Sequence, residues 1–303
     1  MLRQTFLFLS RQKSLRRWFE TSQHANRLTS RFVAGRTLDD VLGVAQRLHS
    51  DGLLASLDHL GENVTTADEA AVSRNFFVDA LQAIHSSALP ATISIKLTQL
   101  GLDLGEDLCR QNVDTLVRLA KSINSRVEID MESHEYVDRT LNLVEHFQHE
   151  YGCVRSVLQA YLYRTEDDVR RMCRHQVPIR LCKGAYNEPP SVAMPEKAKV
   201  DTNYLKLARL LLDDGAYPAL ATHDPRMIDG ILSHIAKTGR KSHEFEFQML
   251  YGVRRDLQKM LIDRGYRVRL YVPYGDAWYP YFMRRLAERP ANAIFVAKSM
   301  FRA

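Results

Sequence analysis

The sequence has no apolar run approaching the length of a membrane span, which needs about 20 residues in succession. Its four cysteines, Cys109, Cys153, Cys173 and Cys182, form no Cys-x-x-Cys pair and are widely spaced. That argues against a disulfide framework and leaves reduced core thiols in a reducing compartment. Glycine is sparse, 14 in all, and no strand-like segment is followed by Gly-x-Gly-x-x-Gly or by a Gly-x-x-x-x-Gly-Lys-Ser/Thr loop. A dinucleotide fold or a P-loop is therefore not expected. There is no His-Glu-x-x-His, and the His, Asp and Glu residues are dispersed, so no metal centre is predicted. No zinc-finger, RNA-binding motif or long Lys/Arg tract accompanies the net charge of +6. Nucleic acid is not expected as a partner; an anionic substrate or cofactor, or an acidic membrane surface, fits better.

What is present is enough for a sizeable core, with 45% hydrophobic and 26% charged residues, an ordinary balance for a water-soluble protein. The first twenty residues carry Arg3, Arg11, Lys13, Arg16 and Arg17 before the first acid, Glu20. A mitochondrial transit peptide can look like this. Phe8, Leu15, Trp18 and Phe19 fall at helical spacing, however, and an amphipathic first helix is the preferred reading.

Along the chain one unit repeats: a short apolar strand, a polar turn, an amphipathic helix. Strands are predicted at Gly52–Leu57, Thr92–Leu97, Val127–Met131, Ser156–Ala160, Pro178–Lys183, Pro218–Thr222, Phe245–Leu250 and Val268–Val272. Their spacing, roughly twenty to forty residues, leaves room for a crossover helix each time. The pattern predicts an α/β fold, a distorted (β/α)₈ TIM-type barrel over residues 51–303, with extra N-terminal helices over 1–50 packing on it as part of one structural unit.

Such barrels place their chemistry at the C-terminal ends of the strands. Those ends read Asp58-His59, Lys96, Asp130 with Glu132, Gln159 with Tyr161, Arg180 with Lys183, Thr222-His223-Asp224, Gln248 and Tyr271. Each has a plainer reading beside the functional one. Lys96 could simply pair with Asp130, His223 could be a satisfied core histidine, and Asp58-His59 reads as a turn and packing feature. Arg180 within a strand must find an anion or acceptor. Near the end, Tyr281, Arg284, Arg285 and Glu288 share one face of a helix. Two guanidiniums held by a carboxylate suit a planar anion such as a carboxylate, although Arg-Arg pairs also occur as solvated surface features.

Taken together, these stretches resemble the proline dehydrogenase family, in its compact bacterial monofunctional form. The resemblance rests on Arg31-Phe-Val-Ala-Gly35, Leu57-Asp-His-Leu-Gly-Glu-Asn63, Ile95-Lys-Leu-Thr98, Leu158-Gln-Ala-Tyr161, Arg180-Leu-Cys-Lys-Gly-Ala-Tyr186, Ala221-Thr-His-Asp224, Phe247-Gln-Met-Leu-Tyr-Gly252 and Arg284-Arg-Leu-Ala-Glu-Arg-Pro-Ala-Asn292, in this order along nearly the whole chain. It implies noncovalent FAD in a barrel without a Rossmann domain. It also implies oxidation of L-proline to Δ1-pyrroline-5-carboxylate, by hydride transfer from proline C5 to flavin N5, with electrons passed to a membrane quinone.

The same resemblance assigns roles. Arg284 and Arg285 would clamp the substrate carboxylate, Glu288 would orient them and Lys96 would complete the anion site. Tyr271, Tyr281 and Leu250 would surround the ring, with Arg180, Lys96 and Tyr271 nearest the chemistry. Asp130, Gln159, Arg180, Lys183, Gly184, Ala185, Tyr186, Thr222, His223 and Gln248 would line the flavin. The next step of proline catabolism would fall to a separate pyrroline-5-carboxylate dehydrogenase. The cytoplasm is the expected compartment, with peripheral contact on the inner face of the membrane, and the mitochondrial matrix is the alternative. Rival readings are a hydroxyproline dehydrogenase of the same family, a Schiff-base lyase using Lys96 or Lys183, and a noncatalytic barrel that binds an anion.

Overall fold

The computed structural model of the chain describes residues 29–61 and 63–287, the last four of them (284–287) by backbone alone. Helix α1, Leu38–Ser50, opens on a capping box between Thr37 and Asp40, and buries Val41, Val44, Ala45 and Leu48 along one stripe at the spacing of an amphipathic helix. Strand β1 (Leu54–His59) follows, then α2 (Ala67–Ser86), β2 (Ala91–Ile95), α3 (Glu106–Ser122), β3 (Val127–Ile129), α4 (Val137–Tyr151) and β4 (Val154–Gln159). The second half continues with α5 (Thr165–Arg174), β5 (Ile179–Cys182), α6 (Lys197–Asp214), β6 (Ala219–Ala221), α7 (Pro225–Thr238), β7 (Glu246–Leu250), α8 (Arg255–Asp263), β8 (Val268–Tyr274) and α9 (Trp278–Ala287). Helix boundaries follow local chemistry: α7 starts on an Asp224 cap with Pro225 in its first turn and ends on left-handed Gly239, a stop that glycine makes without a Cβ clash.

The strands pair in parallel and in chain order, and β1 also pairs with β8, so the barrel is closed. All eight predicted strands exist, and their ends shift by one or two residues. Lys96, Asp130, Lys183 and Thr222 stand one residue beyond their strands, where the chain leaves the ladder and turns into the loops.

Alternation along the strands separates two faces. Leu57, Ile93, Ile95, Val127, Ile129, Val154, Ile179, Leu181, Phe247, Val268 and Leu270 belong to the apolar core shared with the helices. The intervening positions, Ser56, Thr92, Ser94, Glu128, Arg155, Arg180, Glu246, Gln248 and Arg269, are buried and polar. Bonds between strands that are not neighbours in the sheet place these in the interior: Arg155 reaches from β4 to Glu246 on β7 at 2.6 Å, and Arg180 from β5 to Ser94 on β2 at 2.9 Å. Where many barrels fill the interior with branched aliphatics, this one fills it with charge.

Two helices depart from the regular wheel. α1 packs outside β1 and β8. α9, which follows β8, instead joins Phe32, Val33, Leu60, Leu250 and Val253 through Trp278, Tyr279, Tyr281, Phe282 and Met283. Leu60 and Val253 lie just past the C-terminal ends of β1 and β7, so α9 crosses the mouth. Trp278 is a sealing residue in this second apolar cluster. Residues 1–28, including the predicted first helix, lie outside the described residues.

Candidate active site

The C-terminal mouth of the barrel gathers an ionic cluster from five strands. Lys96, at the end of β2, gives Nζ to Asp58 Oδ1 of β1 at 3.1 Å and lies 4.0 Å from Asp130 Oδ2. Asp130 accepts from Arg180 Nη1 of β5 at 2.6 Å and from the Tyr271 hydroxyl of β8 at 2.7 Å. The Arg180 guanidinium lies 5.3 Å from the centre of the Tyr271 ring, within cation–π range.

Lys96 does pair with Asp130, at 4.0 Å, and Asp58 is a second, nearer carboxylate partner that the sequence did not reveal. Asp58 itself is corrected from a turn feature to a buried ion-pair partner, 1% exposed. Its neighbour His59 does pack, stacked on Phe76 with ring centres 4.0 Å apart. An ammonium gripped by carboxylates is the reverse of the desolvated, unpaired amine that imine chemistry uses.

Electrostatics sharpen the cluster. Burial raises the pKa of Asp130, and the nearby Asp58 charge adds to that against the opposing pull of Arg180 and Lys96, so its carboxyl lies above the usual value of 3.8. Burial also drives the Tyr271 phenol well above its ordinary value, reinforced by the Asp130 and Asp58 charges. Tyr271 is therefore held as a neutral donor.

The other half of the mouth, over β4 to β7, holds the remaining predicted residues. Lys183 Nζ bonds Asp201 at 2.5 Å and Asp224 at 3.1 Å, and Lys197 and Arg226 bond the same Asp201 at 2.6 and 3.1 Å. Three cations thus face two carboxylates. Gln159 is a brace: its Nε2 donates to the Glu132 carbonyl at 2.9 Å and its Oε1 accepts from Ala185 N at 3.2 Å. Gly184, with φ of +130°, comes so close to the Tyr161 ring that an added Cβ would stand 2.3 Å from it, a position only glycine fits. Ala185 is exposed and Tyr186 half-buried on this loop. Thr222 Oγ1 accepts from Asp224 N at 3.1 Å, and His223 Nε2 accepts from Leu250 N at 2.8 Å, so that nitrogen is engaged within the protein. Gln248 Nε2 donates to Glu246 at 2.6 Å and to Glu128 at 3.3 Å.

Leu250 is half-buried and Tyr281 buried, the latter on α9 over the mouth. Arg284 and Arg285 fall on α9; their side chains, and Glu288 altogether, lie outside the described residues. The sequence reading missed the layer beneath, made of Glu128, Arg155, Glu246 and Arg269. Its signal was available, since each of Glu128, Glu246 and Arg269 stands two positions before a residue that was singled out. Among the described residues no group of His, Cys, Asp and Glu is arranged to hold a metal ion.

Comparison with known proteins decides the family. The model of a family described as proline dehydrogenase matches residues 41–298. The chain belongs to the proline dehydrogenase family. It is 41% identical over 303 residues to proline dehydrogenase 1 of Bacillus subtilis (strain 168), covering 100% of both chains. It is also 41% identical over 280 residues to the proline dehydrogenase of Deinococcus radiodurans, covering 91% of this chain and 90% of that one. Among solved structures, proline utilization A from Bdellovibrio bacteriovorus, inactivated by N-propargylglycine, superposes with a TM-score of 0.82 at 25% identity. The match covers 87% of this chain and 33% of that one, so the chain spans about a third of that larger protein. As a member of this family the protein is an oxidoreductase, and the closed parallel barrel is the fold that it shares with that neighbour.

The residues at the mouth fit a flavin. Among the described residues Arg180 Nε is buried without a hydrogen-bond partner, and the rim over β4 to β7 sets three cations against two carboxylates, an excess suited to phosphate. Gln159, Thr222 and the exposed loop at Gly184 and Ala185 supply polar and backbone groups around it.

Proposed function

We propose that this protein oxidises L-proline to Δ1-pyrroline-5-carboxylate with noncovalently bound FAD, and that a membrane quinone takes the electrons. The single observation that carries the reading is the Lys96–Asp130–Tyr271–Arg180 cluster at the barrel mouth of a chain in this family. When bound, FAD supplies the hydride acceptor for the C5 hydrogen of proline.

The protein's share is orientation and field. Lys96 offers a fixed positive charge to the substrate carboxylate, and Arg284 and Arg285 on α9 complete the clamp under the guidance of Glu288. Tyr271, Tyr281 and Leu250 confine the pyrrolidine ring. Arg180 favours negative charge on the reduced cofactor. Asp130 holds Arg180 and Tyr271 in place from between them. Lys183, with Lys197 and Arg226, faces the cofactor phosphates, while His223, Gln159, Gln248, Thr222, Gly184, Ala185 and Tyr186 shape the rest of the flavin site. Because Tyr271 is tethered through its hydroxyl to Asp130, its ring is held against the substrate position. It crowds the carbon that carries the hydroxyl of 4-hydroxyproline, which makes this a proline rather than a hydroxyproline enzyme.

The cyclic product opens in water to an aldehyde, which a separate pyrroline-5-carboxylate dehydrogenase consumes. The enzyme works in the cytoplasm with peripheral contact at the inner face of the membrane. Among the described residues no helix is long and apolar enough to cross it.

The test is the visible spectrum of the purified protein, before and after L-proline is added without oxygen. Twin flavin bands that bleach with proline and not with hydroxyproline are expected. Bands indifferent to proline would overturn the substrate, and a colourless protein that FAD cannot reconstitute would overturn the cofactor. In Tyr271→Ser, turnover of hydroxyproline relative to proline should rise; equal use of both by the parent enzyme would sink the steric argument.

A further inference from the structure

Beneath the mouth lies the missed layer, and one carboxylate in it has an unusual position. Glu128, in the middle of β3, is wholly buried. It accepts from Thr92 Oγ1 at 2.7 Å and Arg155 Nη1 at 3.2 Å, and from Gln248 Nε2 at 3.3 Å. Its other main partner is Arg180 Nη2, in a short ion pair. Arg269 Nε stands 3.8 Å away. Arg155 and Arg269 are themselves tied to Glu246, at 2.6 and 2.9 Å. Arg180 is thus held by one nitrogen on Asp130 at the mouth and by the other on Glu128 and Ser94 below.

Burial alone would push the Glu128 carboxyl up, but the guanidiniums of Arg155, Arg180 and Arg269 hold it well below the usual range. Glu128 is a fixed negative charge, two residues beneath Asp130 on the same strand face. A guanidinium on a long side chain loses its aim if only one of its two anchors remains, and a planar fork with both anchors is pre-organised.

We propose that Glu128 is a positioning residue for the oxidation: it aims the Arg180 guanidinium into the barrel mouth and sets how much of its positive charge reaches the cofactor. The proposal rests on the reading of Arg180 as a neighbour of the flavin. Glu128 touches neither substrate nor cofactor. It acts through Arg180, and the Arg155–Glu246–Arg269 set keeps it in register.

The experiment compares Glu128→Gln with Arg180→Met in the flavin-loaded enzyme, reading kcat, KM for proline and the flavin reduction potential. Gln keeps the shape and removes the charge. Glu128→Gln should lower kcat roughly ten- to a hundredfold, the scale of an ångström-sized misplacement. KM should change less than about twofold, because the carboxylate clamp is untouched. The potential should become more positive, since a buried negative charge has gone from beneath a cation.

A folded Glu128→Gln enzyme with parental kcat and potential would overturn the proposal, whatever its melting temperature. If Arg180→Met also leaves the potential unmoved, the placing of Arg180 beside the flavin falls; if Arg180→Met moves it and Glu128→Gln does not, only the role of Glu128 falls. Should Glu128→Gln fail to fold, Glu128→Gln with Arg155→Met carries the test. It removes one charge of each sign from the layer, still takes away the charged anchor beneath Arg180 and leaves only neutral acceptors such as Ser94 there, and must show the loss of kcat.

Discussion

Two lysines at the barrel mouth each sit between two aspartates, and the two sites differ in how much water they admit. Lys96 is 11% exposed in its side chain, and its nearer partner Asp58 is 1% exposed. Lys183 is 25% exposed, against Asp201 at 12% and Asp224 at 20%. Lys183 also has company, since Lys197 and Arg226, both 71% exposed, reach the same carboxylates. The first site is closed, and among the described residues Asp58 has Lys96 as its one salt-bridge partner, while Asp130 also holds Arg180. The second is an open network in which one cation can replace another. The same pattern of one lysine between two aspartates is therefore costly to break in one place and cheap in the other, which suits the fixed substrate anchor and the adaptable phosphate rim proposed above.

The sharpest way to test that contrast is Lys96→Met. Among the described residues it leaves Asp58 buried with no salt-bridge partner, and such uncompensated charges cost about 3–5 kcal/mol. Denaturant unfolding should show a loss of that order. Proline turnover should fall by at least about a hundredfold, the scale for losing one preorganised charged contact in a site closed to water. A variant of near-parental stability would mean that Asp58 finds water or a proton easily, and the closed site would not be closed.

The barrel itself was legible because its strands are short, largely apolar runs and the intervals between them suit crossover helices; all eight predicted strands exist. Site residues at strand ends were legible for the same reason, since a polar residue that ends an apolar run stands out. The inward layer was not read. Glu128 between Val127 and Ile129, or Arg155 between Val154 and Ser156, looks locally like an interruption of a strand. Only the closed topology brings four strands' interruptions within bonding distance, as Arg155 with Glu246 across 91 residues shows. The Asp58 partner of Lys96 was hidden likewise, because pairing β1 with β2 decides it and spacing does not.

Acid titration separates the two sites with a smaller effect. Burial raises the pKa of Asp130 above 3.8 despite Arg180 and Lys96. Asp224 goes the other way: burial is outweighed by hydrogen bonds from Lys183 and Arg226, and its carboxyl is held down to about 2 from 3.8. The signs follow from linkage. Stability contributed by Asp224 is present above pH 3.8 and is lost as pH falls toward about 2. The ionised form of Asp130 is disfavoured in the fold, and that penalty vanishes as pH falls through its raised value. Carbon-detected NMR of the aspartate carboxyls, assigned with Asp130→Asn and Asp224→Asn, should show Asp130 taking up its proton first. The reverse order would erase the distinction between closed and open sites.

The smallest expected change is in the stability of Lys183→Met. Asp201 keeps Lys197 at 2.6 Å and Arg226 at 3.1 Å, and Asp224 keeps Arg226 at 3.4 Å, so neither carboxylate loses its last cation. The unfolding free energy should change by less than about 1 kcal/mol, as for pairs that water already screens. Cofactor retention should respond more, because the rim drops from three cations to two against two carboxylates and its positive excess disappears. A roughly tenfold weaker grip on FAD corresponds to about 1.4 kcal/mol, and it should shrink further as salt is raised, since screening acts on an open site. Equal losses of stability in Lys183→Met and Lys96→Met would make the two lysines equivalent. A Lys183→Met protein that holds FAD as tightly as its parent would place the phosphates elsewhere on the mouth.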